Sequence, residues 1–487
     1  MELFLKYPVD VQNELLFKLL DKAKDTEIGK HFGFSKIKSY QEFSEKVPIR
    51  QYESIEQLIE RTRRGEQNIF WPTPIKWFAK SSGTTNAKSK FIPVSEEALE
   101  DCHFKAGKDM LCLYFNNNDS AQLFTGKGLR LGGSSAVYED NNTYFGDLSA
   151  IIIENLPFWA DFSSAPKQET ALMSEWETKM KAIVDETINE DITSLVGVPS
   201  WMLVILNKVL DRTGKKNILE VWPNLEVYFH GGVNFNPYRE QFKKLIPKKS
   251  FKYYETYNAS EGFFAIQDKN GSYDLLLMLD YGIYYEFIPM EHFNGELSEA
   301  IPLADVKKNK NYAMVITTNG GLWRYLIGDT VKFTSLNPYR IRITGRTKHF
   351  INVFGEELIV ENAEDALQQA CLKTNAQILE YTVAPIYMDS NNTGGHEWLI
   401  EFKQQPENIG YFTEILDNAL KSINSDYEAK RYNNMTLTMP KINIAQKGLF
   451  YDWLKSQGKL GGQHKVPRLS NSRKHLEELL ALQKLNV

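Results

Sequence analysis

Two apolar runs separated by one helix-length segment set the architecture this chain can adopt. Leu195-Val-Gly-Val-Pro reads as a buried strand leading into a helix, which continues from Pro199 to Arg212 and is more apolar than the amphipathic helix expected over Glu169 to Asn189. The next run, Leu225-Glu-Val-Tyr-Phe, again has strand character and closes on His230-Gly-Gly. Such alternation is the grammar of an α/β domain, where ligands gather beyond the carboxyl ends of strands. Gly231 and Gly232 stand at such an end. Either they let a flat ligand ring approach the backbone, or they make a turn.

A similar arrangement recurs downstream. Lys252-Tyr-Tyr-Glu-Thr-Tyr reads as a strand that carries Thr256 and Tyr257 into Asn258-Ala-Ser-Glu-Gly. Glu261 then lies beyond a strand end, placed either to hold a divalent metal on phosphate oxygens or to sit in a structural turn. In Thr317-Thr-Asn-Gly-Gly-Leu-Trp-Arg-Tyr-Leu-Ile-Gly-Asp329 a glycine turn, an aromatic strand and an acid lie close together. A carboxylate such as Asp329 suits two neighbouring ribose hydroxyls because it accepts both hydrogen bonds; the plain alternative is a hairpin with Asp329 in its turn.

The most polar motif comes earlier, at Lys80-Ser-Ser-Gly-Thr-Thr-Asn-Ala-Lys-Ser-Lys90, directly before Phe91-Ile-Pro-Val. Ser81, Ser82, Thr84 and Thr85 are hydroxyl donors, Gly83 permits close backbone approach, and Lys88 or Lys90 supplies charge. That chemistry suits a polyphosphate, although an ordinary polar turn has the same composition. No Gly-Lys-Ser/Thr follows at Walker spacing, so the phosphate grip of kinases is not indicated.

Helical periodicity spans Val9 to Lys30 and, in shorter pieces around Pro48, Tyr40 to Arg64. Ser95-Glu-Glu-Ala starts another helix that runs through Leu113, with His103 on it as a packing or surface residue. Residues 121–165, rich in Gly, Ser and Asn, either line a substrate pocket or form an irregular connection, the connection being the favoured reading. Beyond Arg346 a smaller unit is expected, with a helix after Glu361, strands at Ile378 to Pro385 and Trp398 to Phe402, a helix at Tyr411 to Ile423 and a strand near Met435 to Met439. The fold class is therefore α/β: a large N-terminal domain over 1–345 with β-sheets flanked by helices, a hinge at 346–348, and a smaller, mobile α+β domain over 349–487.

Composition removes several function classes. At 487 residues and a net charge of -5 without a basic block, the chain is not built as a general nucleic-acid binder. Cys102, Cys112 and Cys371 are too few and scattered for a disulfide framework or a zinc site. The amino terminus lacks a signal-peptide core, and no run approaches the roughly 18 apolar residues of a membrane span. A cytoplasmic protein with no membrane partner is expected.

The motifs occur together and in order. SSGTTNAKSKFIP at 81–93, TYNASEG at 256–262, TNGGLWRYLIGD at 318–329 and GGQHKVPRL at 461–469 resemble the Gretchen Hagen family of acyl-acid amido synthetases, also called the auxin-responsive promoter family, in the acyl-adenylate-forming superfamily. The last two are the most specific, and the shared order extends the resemblance over nearly the whole chain. Asn86-Ala87 stands where relatives often carry glycine, and TYNASE replaces a form nearer to Tyr-Ala-Ser-Ser-Glu.

The resemblance implies an ATP-dependent ligase that adenylates a carboxylic acid, releases pyrophosphate and passes the acyl group to an amine, an amino acid in the family. It implies that Ser81, Ser82, Gly83, Thr84, Thr85 and Lys90 hold phosphates, that Glu261 holds Mg2+, and that Asp329 holds the ribose with Arg346 beside it. Gly231, Gly232, Thr256 and Tyr257 would surround the adenine, and Lys465 would be the main catalytic cation, with Lys348 acting at the hinge. Phe145, Phe229, His230, Trp323 and Tyr325 are candidates for an apolar acid pocket. Two alternatives stand beside this reading. One is an acyl-CoA ligase, although the tail reads QHKVPR and not the usual Pro-Lys-Thr-x-x-Gly-Lys of those enzymes. The other is a non-catalytic ATP-binding scaffold.

Overall fold

The computed structural model describes the chain apart from residues 82–89, 133–137, 141, 157–162, 174, 233–234, 236–237, 291–292, 294–298, 348–349, 357, 389–392, 435, 457–465 and 486–487. The first strands are β1 (Trp77–Ser81), β2 (Lys90–Val94), β3 (Lys127–Arg130), β4 (Tyr138–Asp140) and β5 (Thr143–Gly146). All but β3 form a small sheet in the order β2-β1-β5-β4. The main sheet takes β3 together with β6 (Ser164–Ala165), β7 (Ile192–Gly197), β8 (Val227–Gly231), β9 (Lys252–Ala259), β10 (Gly262–Ile266), β11 (Leu275–Leu277) and β12 (Ile283–Pro289). It is completed by β13 (Ile301–Pro302), β14 (Asn311–Thr318), β15 (Tyr325–Leu336) and β16 (Tyr339–Arg346).

Its order is β13-β12-β14-β15-β16-β11-β10-β9-β8-β7-β3-β6. From β6 to β9 all pairings are parallel, and from β9 to β13 all are antiparallel. The parallel half follows from the strand-helix pattern of the sequence. Helix Pro199–Thr213 crosses from β7 to β8 and helix Arg239–Leu245 from β8 to β9, because parallel neighbours need a crossover. Proline at the first turn of helix Pro199–Thr213 costs no hydrogen bond, and Gly214, at φ +66°, ends it.

The smaller unit contains the two-stranded pair β17 (Phe350–Ile351) and β18 (Leu358–Ile359), then a sheet of β19 (Gln377–Ile386), β20 (Gly395–Gln404) and β21 (Lys441–Ile444). Helices Val360–Thr374 and Ile409–Ile423 pack on it. One apolar cluster joins the N-terminal helices to the antiparallel half of the main sheet; a second runs from the parallel half into the smaller unit.

Several local expectations need correction. The pattern over Val9 to Lys30 is two helices, Pro8–Ala23 and Glu27–Phe32, with Thr26 Oγ1 accepting from Gly29 N at 3.0 Å as the second helix's cap. The pattern ran on because both bury Leu16, Leu19, Leu20 and Ile28 in one core. Likewise Glu169 to Asn189 is split between helices Gln168–Ala171 and Trp176–Thr187, the second capped by the Glu175 carboxylate. Residues 121–165 are no mere connection: they hold β3 to β6 and helix Leu148–Glu154, strands of two to four residues being too short to show a period. The last strand is β21 rather than 435–439, where Leu437 makes only an isolated bridge to Gly394 before Pro440.

Candidate nucleotide and acyl site

At the carboxyl end of β8, Gly231 pairs with Thr256 of β9. A Cβ on Gly231 would lie 2.6 Å from both the carbonyl oxygen and Oγ1 of Thr256, so only glycine fits there. The Thr256 hydroxyl donates to the His230 carbonyl at 3.2 Å, and Gly232 is exposed with φ at +81°. The result is exposed backbone at a strand end.

One residue further on, the Tyr257 hydroxyl donates to Asp329 Oδ2 at 2.7 Å in a buried contact. Asp329 lies within β15, opposite Arg346 of β16, rather than in a hairpin turn. Gly328 just before it, at φ +90°, accepts from Thr347 N at 2.7 Å, which draws the end of β16 onto the same spot. The motifs at 256–262 and 318–329 therefore meet. Glu261 is half-buried in the turn between β9 and β10.

The polar motif joins β1 to β2, which are antiparallel and end on the Ser81–Lys90 pair. Lys90 Nζ lies 5.5 Å from the ring centre of Tyr52, whose oxygen accepts from Phe91 N at 2.9 Å. Burial pushes the Tyr52 phenol up to about 12, which keeps it protonated. Ser82, Gly83, Thr84, Thr85, Lys348 and Lys465 lie outside the described residues.

The five aromatic candidates for an acid pocket do not converge on one cluster. Phe145, on β5, stands edge-on to Phe91 at 5.6 Å. Phe229 is buried with Tyr114 and Tyr254 on one face of β8. His230 faces the other way and stacks on Phe235 at 4.0 Å, where burial, aided by the Arg239 charge, lowers its imidazole to about 3. Trp323 and Tyr325 belong to the core of the antiparallel half, the indole donating to the Phe70 carbonyl at 3.2 Å. His103 is a buried packing residue, lowered to about 4 by desolvation.

Sequence reasoning missed the anchor of the 318–329 motif. Arg324, at φ +45°, points its guanidinium into the protein, where Nε donates to both Glu286 oxygens at 3.1 and 3.0 Å and Nη2 donates to Oε1 at 2.8 Å. Its Nη1 donates to the carbonyls of Ser44 and Val47, and the Tyr40 hydroxyl donates to Glu286 as well. Burial raises the Glu286 carboxyl and the Arg324 charge opposes it. The signal was available: Glu286 and Arg324 are the charged residues of two apolar stretches, Ile-Tyr-Tyr-Glu-Phe-Ile and Leu-Trp-Arg-Tyr-Leu. Glu255, beneath Thr256, was missed too; burial pushes its carboxyl up to about 7 against the pull of Arg239.

A parallel half-sheet with a glycine-lined end, an antiparallel half that supplies a tyrosine-held carboxylate, and a smaller C-terminal unit make up the fold, and solved structures share it. The GH3.15 acyl acid amido synthetase superposes with a TM-score of 0.61 at 18% identity, covering 97% of this chain and 93% of that one. The 2-hydroxyisobutyryl-CoA ligase does so at 0.57 and 13% identity, covering 97% and 91%. The chain belongs to the GH3 family: the family's N-terminal domain matches residues 1–251, its central domain 276–346 and its C-terminal domain 361–474. Among its relatives, the indole-3-acetic acid-amido synthetase GH3.3 of Arabidopsis thaliana is 24% identical over 94% of this chain and 89% of its own length. The putative indole-3-acetic acid-amido synthetase GH3.9 of the same plant is 25% identical over 97% and 93%.

Proposed function

We propose that this protein joins a carboxylic acid to an amine in two steps at one site. The acid's carboxylate oxygen attacks the α-phosphorus of ATP, forming an acyl-adenylate and expelling pyrophosphate; the amine then attacks the acyl carbon, giving an amide, AMP and a proton. The observation that supports the reading is the Tyr257–Asp329 contact near Gly231, which brings strand-end backbone open to a flat ring close to a carboxylate whose chemistry suits ribose hydroxyls.

In this reading the adenine lies against Gly231, Gly232, Thr256 and Tyr257, Asp329 takes the ribose hydroxyls with Arg346 beside it, and Ser81, Ser82, Gly83, Thr84, Thr85 and Lys90 hold the phosphates. Lys465 neutralises charge as it builds on the phosphoryl oxygens. Phe145, Phe229, His230, Trp323 and Tyr325 lie in separate clusters, so the reading does not assign the acid pocket to them as a set. Among the described residues no cluster of three His, Cys, Asp or Glu side chains could hold a metal, so Mg2+ would rest mainly on phosphate oxygens, with Glu261 as the protein carboxylate. It would supply charge neutralisation there. The domains are 1–345 and 349–487, with 346–348, where β16 ends, as the hinge that carries the Lys465 loop in and out. The acceptor is an amino acid, as the motif resemblance implies. No described helix is long and apolar enough to cross a membrane, and we place the reaction in the cytoplasm.

Acid-dependent exchange of pyrophosphate into ATP, over aryl, indolyl and fatty acids, tests the reading. Exchange with some acid, reduced on the order of 10² to 10³ in Lys465→Ala, is expected. ATP binding without exchange for any acid, or release of ADP, would overturn it. Coenzyme A replacing the amine as acceptor would favour the thioester-forming alternative.

A further inference from the structure

The smaller unit meets the parallel half of the main sheet along a seam. Across it the Tyr238 hydroxyl donates to the Val353 carbonyl and Gln241 Nε2 to the Met388 carbonyl at 2.9 Å. Most of the seam is apolar, part of one continuous core. In its middle sits an ammonium group. Lys430, on helix Ser425–Arg431 of the smaller unit, is 7% exposed, and its Nζ lies 3.8 Å from the ring centre of Trp201 on helix Pro199–Thr213 of the larger one.

The site is shaped for this side chain. Gly355 is at φ +85°, and a Cβ there would come within 3.3 Å of Lys430 Cε. Carboxylates face the amine without closing on it: Asp426 and Glu356 from the smaller unit and Asp147 from the larger act through space, while burial outweighs them and lowers the amine to about 8. Glu356 is engaged elsewhere, its oxygens taken by the His396 ring nitrogen at 2.8 Å and Phe354 N at 2.7 Å. A ring face offsets only part of the cost of removing an ammonium from water. Opening the seam returns that hydration, so a lysine here makes the closed arrangement easier to leave than an apolar side chain would.

We propose that Lys430 is a positioning residue whose buried ammonium on Trp201 keeps the seam near balance, so that the smaller unit leaves this orientation readily during turnover. The inference rests on the proposed exchange of the Lys465 loop between two half-reactions.

Hydrogen exchange of the backbone amides in 353–356 and 424–437, read without substrate, tests it in the full chain. Lys430→Met should slow seam exchange about tenfold or more, since apolar replacement of a buried charge stabilises when packing is kept. The same variant should lower kcat while sparing one of the two half-reactions. Trp201→Leu, which removes the cation's ring, should speed seam exchange, and Lys430→Arg should stay near wild type. Faster exchange in Lys430→Met would overturn the proposal by showing that the ammonium holds the seam, and unchanged exchange would overturn it by showing that the ammonium does not set the balance; if Lys430→Met does not fold, unchanged or slower seam exchange in Trp201→Leu overturns it. If no acid is adenylated while Lys430→Met still tightens the seam, the functional reading fails and Lys430's effect on the seam stands.

Discussion

The Tyr257 hydroxyl and the Asp329 carboxylate, 72 residues apart in the chain, meet at 2.7 Å in a buried contact between β9 and β15. The donor holds one oxygen of the carboxylate that the proposed reading assigns to the ribose hydroxyls.

Tyr257→Phe removes that donor while keeping the ring, which packs 4.8 Å from Phe264. A hydrogen bond to a charged group contributes roughly 1.5–3 kcal/mol, so the KM for ATP in pyrophosphate exchange should rise about tenfold or more. The thermal midpoint should fall as well, by about a few degrees, because the same bond is present in the unliganded fold. An unchanged KM would mean that Asp329 is held without Tyr257.

Gly231→Ala and Gly232→Ala separate close approach from backbone strain. At Gly231 the methyl group meets the backbone of Thr256 at 2.6 Å and must push β8 from β9, so ATP binding measured by calorimetry should be lost. At Gly232 the nearest atom is Val198 Cγ2 at 3.5 Å, and the cost is that of a left-handed alanine, about 1–2 kcal/mol of stability. Weakened ATP binding in Gly232→Ala alone would reverse this assignment.

Arg324→Met leaves the Glu286 carboxylate buried without its ion-pair partner and should destabilise by about 3–5 kcal/mol in urea unfolding. Arg324→Met combined with Glu286→Leu should recover a large part of that loss. Equal loss in the single and double variants would indicate packing rather than charge.

Acid should weaken the fold through His103. Its folded imidazole is lowered to about 4 from 6.5, and its Nδ1 has no hydrogen-bond partner. Because the unfolded chain takes up the proton first, stability falls as pH drops from 6.5 through 4, by about 2 kcal/mol at pH 5. His103→Leu should flatten the difference between pH 7 and pH 5 measured by urea unfolding; an equally steep decline would assign it to other groups, such as His230.

Long repeating patterns made much of the architecture readable. Helix Pro199–Thr213 and the strands around it announce themselves because apolar residues recur over many positions, and the glycines at 231 and 232 mark where a strand must stop. The short strands within 121–165 and the break at Thr26 did not, since two to four residues carry no period and a cap can sit inside a continuing apolar stripe. At the site, Gly231 and Asp329 stand out through their chemistry and Tyr257 through the motif resemblance, whereas the pairing of Arg324 with Glu286 follows only from the fold.

Residue order alone thus settles local conformation and the inventory of reactive groups, because both depend on neighbours a few positions apart. Which groups meet depends on contacts across the fold. That Tyr257 bonds Asp329, that Glu286 neutralises Arg324 and that Lys430 is enclosed against Trp201 are consequences of sheet order and of two units sharing one core. Desolvation and hydrogen bonding act through space, so the protonation of His103, Glu255 and Lys430 follows from packing and from no pattern along the chain.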